Sequence, residues 1–439
     1  MKKLYFILIT IFATLQVASA QTGRWSGEIE LRGMKLEIIF NFISENPTID
    51  IPEQSAKGIP IQVKQEGDTT LIVDIPSIYA SYKGSIKEGQ IVGTLNQMGY
   101  SLPLTLTPGI KKLNRPQTPI GPFPYEQEEV TFTNGDACLK GTLTLPKNTS
   151  RNTPVLIMVS GSGLQNRDEE IFEHKPFAVI ANALALAGIA TLRYDDRGFG
   201  ESTGDADNAT TEDFKEDALA GIQFLRNRFD KVGIIGHSEG GTIALMLAAA
   251  KKVDFAISLA GMVISGAETL ISQTEVALTA NGMPQEEIKE YCKLLHQTYD
   301  AIINGNEMPD IEKYNIPSIL KQSYQNTLVL LQQDRYIRYL IGLDIRPLLS
   351  EISCPILALN GTKDQQVNYE SNLNALSFGL RNNHNVHIQA LKDLNHLFQH
   401  SSTGNVSEYK QIEETFAPQA IEQIIKWLSQ LELQTQLFK

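Results

Sequence analysis

The stretch KVGIIGHSEGGTIALMLAAA, residues 231–250, decides how the rest of the chain is read. Val232 to Ile235 is a short apolar run, as expected of a strand buried on both faces. It stops at Gly236, and after a histidine, a serine, a glutamate and two glycines the chain resumes as TIALMLAAA, rich in helix formers. Gly236-x-Ser238-x-Gly240 is a weak signal as a bare string. It gains mechanical meaning where a strand precedes it and a helix follows, because the serine must then sit on a sharp, strained turn. The flanking glycines remove side chains that would collide as strand and helix close together. Ser238 is therefore expected at the top of a sheet and at a helix N-terminus, facing a substrate.

The same rhythm extends outward from this point. PVLIMVSG, IATLRYD, FAISLAG, PILALNG (355–361) and NVHIQAL read as strands. Helical patterns lie between them over FAVIANALALAG and TEDFKEDALAGIQFLRNR, and APQAIEQIIKWLSQ closes the series. Short apolar strands alternating with helices indicate a mostly parallel α/β sheet covered on both faces. Residues 264–350 interrupt the alternation with helical sequence, in which Ile288, Cys292, Leu295 and Tyr299 are spaced for one buried face. An insertion of that length between two core strands reads as a cap or lid.

Upstream the pattern changes. Residues 21–107 alternate apolar and polar positions, as in GRWSGEIELRGMKLEIIFNF, and predict a small all-β domain. Residues 108–128 are proline-rich and aperiodic and read as a stiff, extended connector to the α/β domain, 129–439. Residues 1–20 have Lys2 and Lys3, an apolar stretch and Ala18-Ser19-Ala20, the pattern of a signal peptide cleaved after Ala20. The mature chain is expected to be exported, periplasmic or secreted, with no membrane span.

Loss of that leader leaves 36 basic against 50 acidic residues, a formal charge of −14. So acidic a chain repels phosphate backbones, which excludes nucleic acid as a natural partner. Cys138, Cys292 and Cys354 are few, distant and odd in number, so they build neither a disulfide framework nor a metal site. No phosphate loop, nicotinamide fingerprint or metal-ligand spacing appears, and the chemistry is expected to need no cofactor.

A serine hydroxyl needs a base to take its proton and a carboxylate to orient that base. On such sheets the chain order is Ser, then acid, then His. His396 follows the last strand on a loop at its C-terminal end, where ligands gather; His400, on the same stretch, is the fallback. Asp364, three residues after Gly361 at the end of the preceding strand, is the expected acid. Asp393 lies on the histidine's own loop and reads as a surface ion pair. The developing oxyanion needs two donors: the N–H of Glu239, and one from the Ser160-Gly161-Ser162-Gly163 loop. Ser162 is favoured there, with Gly163 or Leu164 as neighbours that fit as well. The Glu239 side chain sits where any carboxylate favours a helix start. The cluster Gln165 to Glu169 reads equally well as a site lining or as an ion-paired loop. Asp195-Asp196-Arg197 reads as charges pinning a tight loop.

Taken together, GHSEG, VSGSGLQNRDE, YDDRGFGES and the ordered pair Asp364 and His396 resemble the α/β-hydrolase superfamily. The resemblance is to exported bacterial carboxylesterases close to the serine aminopeptidase-like branch, over about residues 129–435. It implies an eight-stranded, mostly parallel sheet with a helical cap, and acyl transfer to water without a cofactor. One departure is Ser160, where a histidine often opens the oxyanion loop. The reading is a serine hydrolase of small-molecule esters, of short acyl chains, with Ser238, Asp364 and His396 as its triad. An exported aminopeptidase or amidase is the alternative. A catalytically silent binding protein predicts a broken triad, which the sequence does not have. For the β-domain, polymer binding, support of a homodimer and shielding of the cap all fit.

Overall fold

The protein is described by a computed structural model that covers residues 22–437 except 32–33, 44–45, 55, 68, 98 and 110–112. The expected leader, with its cleavage point after Ala20, lies outside the described residues. The chain divides into two units, residues 1–112 and 113–439.

The first unit is all β. Its strands are β1 (Gly23–Leu31), β2 (Met34–Phe42), β3 (Thr48–Ile51), β4 (Ala56–Pro60), β5 (Gln62–Glu66), β6 (Thr70–Ile75), β7 (Ala80–Lys87), β8 (Gln90–Gln97) and β9 (Tyr100–Pro108). They form one antiparallel sheet in which β1 pairs with β9 and the order runs β4-β3-β2-β1-β9-β8-β7-β6-β5. Alternate side chains, among them Ile38, Phe40, Ile49, Val73, Tyr82 and Leu104, fill one interior, as a period of two requires.

The second unit begins before its first strand. Arg115 donates to the carbonyls of Phe172, Lys410 and Ile412. Gln117 donates to the Phe416 carbonyl and accepts from the N–H groups of Thr415 and Phe416. Within the expected stiff connector, 108–128, Arg115 and Gln117 are thus bound to the second unit. The prolines leave its backbone without a ladder partner, and these two long side chains supply the attachment instead.

Eight strands follow: β10 (Glu126–Asn134), β11 (Ala137–Leu145), β12 (Val155–Val159), β13 (Ala190–Tyr194), β14 (Val232–His237), β15 (Ala256–Leu259), β16 (Ile356–Gly361) and β17 (Val386–Leu391). Their order is β10-β11-β13-β12-β14-β15-β16-β17, parallel except where β11 meets β10 and β13. The helices are α1 (Pro176–Leu186), α2 (Thr211–Arg226), α3 (Glu239–Ala249), α4 (Gly266–Ala280), α5 (Gln285–Asn304), α6 (Ser318–Gln333), α7 (Arg335–Gly342), α8 (Tyr369–Gly379) and α9 (Pro418–Leu437). Both faces of the sheet are covered. Val155, Ile157 and Val159 pack with α2, α3 and α8, whereas Leu156 and Met158 pack with α1 and α9. This two-sided burial is why the central strands read as continuous apolar runs. Helix α2 starts at a capping box, in which Asp213 accepts from the Thr210 N–H, a device worth about 1 kcal/mol. β13 lies on one side of β12 and β14 on the other, so the β12–β13 and β13–β14 crossovers run in opposite directions along the sheet. The C-terminal edge beside such a switch point opens a crevice for ligands.

Helices α4 to α7 are inserted between β15 and β16 and form the cap, with a core of their own around Tyr291, Leu294, Leu295, Tyr299, Tyr324 and Ile341. On α5 the buried face runs through Ile288, Tyr291, Leu295 and Thr298, and Cys292 is only half-buried. Tyr291, whose ring reaches further than a thiol, takes the inward position. No helix among the described residues is long and apolar enough to cross a membrane.

Candidate active site

Ser238 stands between β14 and α3 with φ +53° and ψ −118°, a conformation that non-glycine residues rarely adopt. It is tolerated because the surroundings leave no alternative. The Ser238 N–H donates to the Leu259 carbonyl at 2.8 Å, and the elbow glycines are in van der Waals contact with backbone on both sides. A Cβ on Gly236 would lie 1.9 Å from the Gly240 carbonyl oxygen, and one on Gly240 would lie 2.0 Å from that of Val159. Gly240→Ala is therefore expected to cost about 3 kcal/mol, because neither backbone segment can yield. A thermal melt should show Tm falling by roughly 6–12 °C; an unchanged Tm would contradict this account of the motif.

A cavity of about 360 Å³ opens above Ser238. Ser238, His396, Ser162 and Glu239 all line it from the sheet side, and Leu270, Tyr336 and Leu340 line it from the cap. His396 is buried and its Nδ1 lies 2.7 Å from Asp364 Oδ2. The other carboxylate oxygen of Asp364 accepts from the N–H groups of Gln366 at 2.8 Å and Val367 at 2.9 Å. The carboxylate is thereby fixed by its own loop before it meets the histidine. His400 instead pairs with Glu414 at the surface, and Asp393 pairs with Lys363 and Lys392.

The Ser160 to Gly163 loop approaches the serine closely: a Cβ on Gly161 would be 3.1 Å from Ser238 Cβ. The Gly161 N–H is already committed, donating to Glu169 Oε1 at 2.7 Å. Ser162 lines the main cavity and Gly163 does not, and Leu164 is exposed. Ser160 Oγ donates to Asp196, which also accepts from the Gln165 N–H. Burial, reinforced by the nearby Glu239 and Glu169 carboxylates, pushes the Asp196 carboxyl up to about 8 despite those two hydrogen bonds.

The Gln165 to Glu169 cluster divides between the two roles open to it. Gln165 and Glu169 line the cavity. Arg167 is bound by Asp195, Glu129 and Glu201, and Asp168 by Arg193. Arg197 grips Asp217 with two bonds of 2.7 and 2.6 Å. These pairs set the tight loops flanking the site.

Glu239 does more than favour a helix start. Its carboxylate is buried and accepts from Thr211 Oγ1 at 2.5 Å and from the cap residue Tyr336 at 2.9 Å. Burial raises its pKa, and hydrogen bonds from Thr211, Tyr336 and Ser162 partly offset that. Two residues, Tyr336 and His237, escaped sequence reasoning, and Glu169 was reached only as part of the Gln165 to Glu169 cluster. Tyr336 had no signal at all. His237 and Glu169 form a buried 2.9 Å pair beside the serine; the one clue was a histidine inside the G-x-S-x-G string.

Chemically, the arrangement offers a half-buried, strained hydroxyl, a carboxylate-oriented imidazole and a loop with close backbone approach in one cavity. The sequence model of the family described as serine aminopeptidase, S33, matches residues 173–399, just over half of the chain. The chain belongs to that family. Its match spans α1 to the loop carrying His396 and includes Ser238 and Asp364. The esterase EstD of Thermotoga maritima is 28% identical over 284 residues, 63% of this chain; the match spans only 61% of EstD's own length. Among solved structures, Est1E of Butyrivibrio proteoclasticus with ferulic acid bound is 17% identical, with a TM-score of 0.43, covering 71% of this chain and all of that one. A proline iminopeptidase of Mycobacterium smegmatis is 14% identical, also at 0.43, with coverage of 70% and 100%. An esterase of Pyrococcus furiosus is 16% identical at 0.42, covering 70% and 93%.

Proposed function

We propose that the second unit is a serine hydrolase that cleaves small carboxylic esters through an acyl-enzyme on Ser238. The observation that carries this reading is the strained Ser238 in a cavity it shares with His396, whose Nδ1 meets Asp364 at 2.7 Å. In this scheme His396 takes the serine proton as Ser238 attacks the carbonyl, then returns it to the leaving alcohol. Asp364 holds the Nδ1–H tautomer, so that Nε2 is the basic nitrogen. Water, activated by the same histidine, releases the acid. The N–H groups of Glu239 and Ser162 receive the oxyanion; Gly161 is spent on Glu169, and Gly163 is set back from the cavity. A cavity of about 360 Å³ suits a short acyl chain and a modest alcohol, at the small end of ligand pockets. The EstD relative, named an esterase, points the same way. The charged, apolar and small-residue sequence of residues 1–20 supports an exported enzyme.

A second reading, an aminopeptidase, is favoured by one feature. The buried Glu239 carboxylate lines the cavity with hydroxyls as its partners, and a substrate ammonium would be its counter-charge. Labelling by a fluorophosphonate probe tests the shared machinery, and a matched set of acetyl ester, leucine ester and leucine anilide separates the readings. The ester reading expects labelling and rapid acetyl-ester turnover. Preference for the two leucine substrates would favour the aminopeptidase. A folded protein that neither labels nor turns over any of the three would overturn both.

A further inference from the structure

His237 is buried, 6% exposed, and both its ring nitrogens face acceptors. Nδ1 lies 2.9 Å from Glu169 Oε1, and Nε2 lies 2.9 Å from the backbone carbonyl oxygen of His396. A carbonyl oxygen has no proton to give. A neutral imidazole carries one N–H, so one of the two contacts would set lone pair against lone pair. Glu169 Oε1 also receives the Gly161 N–H at 2.7 Å, and an oxygen taking two N–H donors is best served as a carboxylate. Glu169 is itself buried, 5% exposed, and is held at φ +51°, a strained backbone that its surroundings impose.

We propose that His237 is an imidazolium locked between Glu169 and the His396 carbonyl, and that this buried ion pair is a positioning device for the candidate active site. Its three contacts join the three segments that the chemistry must hold in register. Glu169 fixes the loop after β12 through Gly161. His237 is joined to Ser238 through the chain. The second ring N–H fixes the backbone of His396, whose side chain faces Asp364.

The charges facing His237 agree in direction. Burial by itself would discharge the ring, but the Glu169 carboxylate, its hydrogen bond, the His396 carbonyl and the more distant Asp364 carboxylate outweigh it. The His396 ring, 4.7 Å away between centroids, and the edge of Phe398 complete the surroundings. The ring therefore keeps its proton above the usual histidine value. A histidine raised in this way stabilises the fold fully below its unfolded pKa, about 6.5. That contribution is lost as pH rises through the raised value, so the pair predicts an alkaline limit to activity.

The kinetic part of this proposal rests on the hydrolase reading; the charge state of His237 does not. The test uses the full chain labelled with ¹⁵N-histidine, with His237→Gln to assign the ring signals. At pH 7.5 both His237 nitrogens are expected to carry protons, one of which is lost as the pH rises further through the raised value. Glu169→Gln keeps an oxygen in place and removes the charge. It is expected to lower kcat on an acetyl ester by about 10–100-fold with KM little changed, and to move the alkaline limb to lower pH. Glu169→Asp, which keeps the charge, should recover part of the loss. A role in stability alone would move Tm and leave the pH profile in place.

A neutral His237 tautomer at pH 7.5 overturns the proposal, as does a folded Glu169→Gln enzyme with the wild-type kcat and pH profile. If Glu169→Gln does not fold, the ring signals of the unsubstituted protein decide. A doubly protonated ring in a protein that cleaves no ester would leave the ion pair standing and remove the hydrolase reading. A neutral ring in an active esterase would do the reverse.

Discussion

Ser238→Ala is expected to lower kcat/KM on an acetyl ester by about 10⁴-fold or more and to abolish fluorophosphonate labelling. On the proposed mechanism the loss is set by removal of the nucleophile that forms the acyl-enzyme; what remains is stabilisation by the oxyanion donors and by binding. The fold should not register the change. Alanine and serine both carry a Cβ, so the strain at φ +53° is the same, and the bond from the residue 238 N–H to Leu259 is made by backbone. Tm within about 2 °C of wild type, with activity gone, is the signature of a nucleophile. Hydrolysis within tenfold of wild type would place the nucleophile elsewhere.

Asp364→Asn is expected to be nearly as damaging, for a reason that lies in its hydrogen bonds. Oδ1 accepts from two backbone N–H groups, Gln366 and Val367, while Oδ2 faces His396 Nδ1. Asparagine has one oxygen. The two buried N–H donors claim it, because leaving them unpaired costs about 1–3 kcal/mol each. The amide NH₂ must then face His396 Nδ1, which can meet a donor only by giving up its proton. The histidine is driven into the tautomer with hydrogen on Nε2, and the nitrogen that should accept the serine proton is blocked. A fall in kcat of about 10⁴ follows from a wrong tautomer of this kind, with KM nearly unchanged. Because the loop's own bonds survive, circular dichroism and Tm should stay close to wild type. A fall of less than tenfold would mean that Asp364 does not govern the tautomer, and His396 would lose its claim as the base.

The parts of the site that could be read in advance are those governed by local constraints. The Gly236 and Gly240 positions are dictated by backbone that leaves no room for a side chain, since an added Cβ would lie 1.9 and 2.0 Å from carbonyl oxygens within and beside one turn, so the string and its flanking strand and helix carry the information together. Asp364 and His396 were indicated by their places just beyond β16 and β17, because parallel strands bring their C-terminal ends to one edge. Burial of the central sheet on two faces made its strands legible as unbroken apolar runs. On α5 the helical period was legible, but the choice between Cys292 and Tyr291 was not. Two candidate faces differ there by one residue, and which packs inward depends on the shape of the partner helices.

The sequence by itself determined the order of elements, the elbow and the identity of the residues at the sheet's C-terminal edge. All of these follow from spacing along the chain. Only the tertiary structure decided which charged side chains support the site. Glu169 meets His237 across 68 residues, Tyr336 meets Glu239 across 97, and Arg115 reaches the Ile412 carbonyl across 297. Such contacts leave no periodic trace, because a side chain buried by a distant loop obeys no local period. Its polarity is tolerated only when the fold delivers a partner, and that partner is chosen by where the loops end, not by neighbours in sequence.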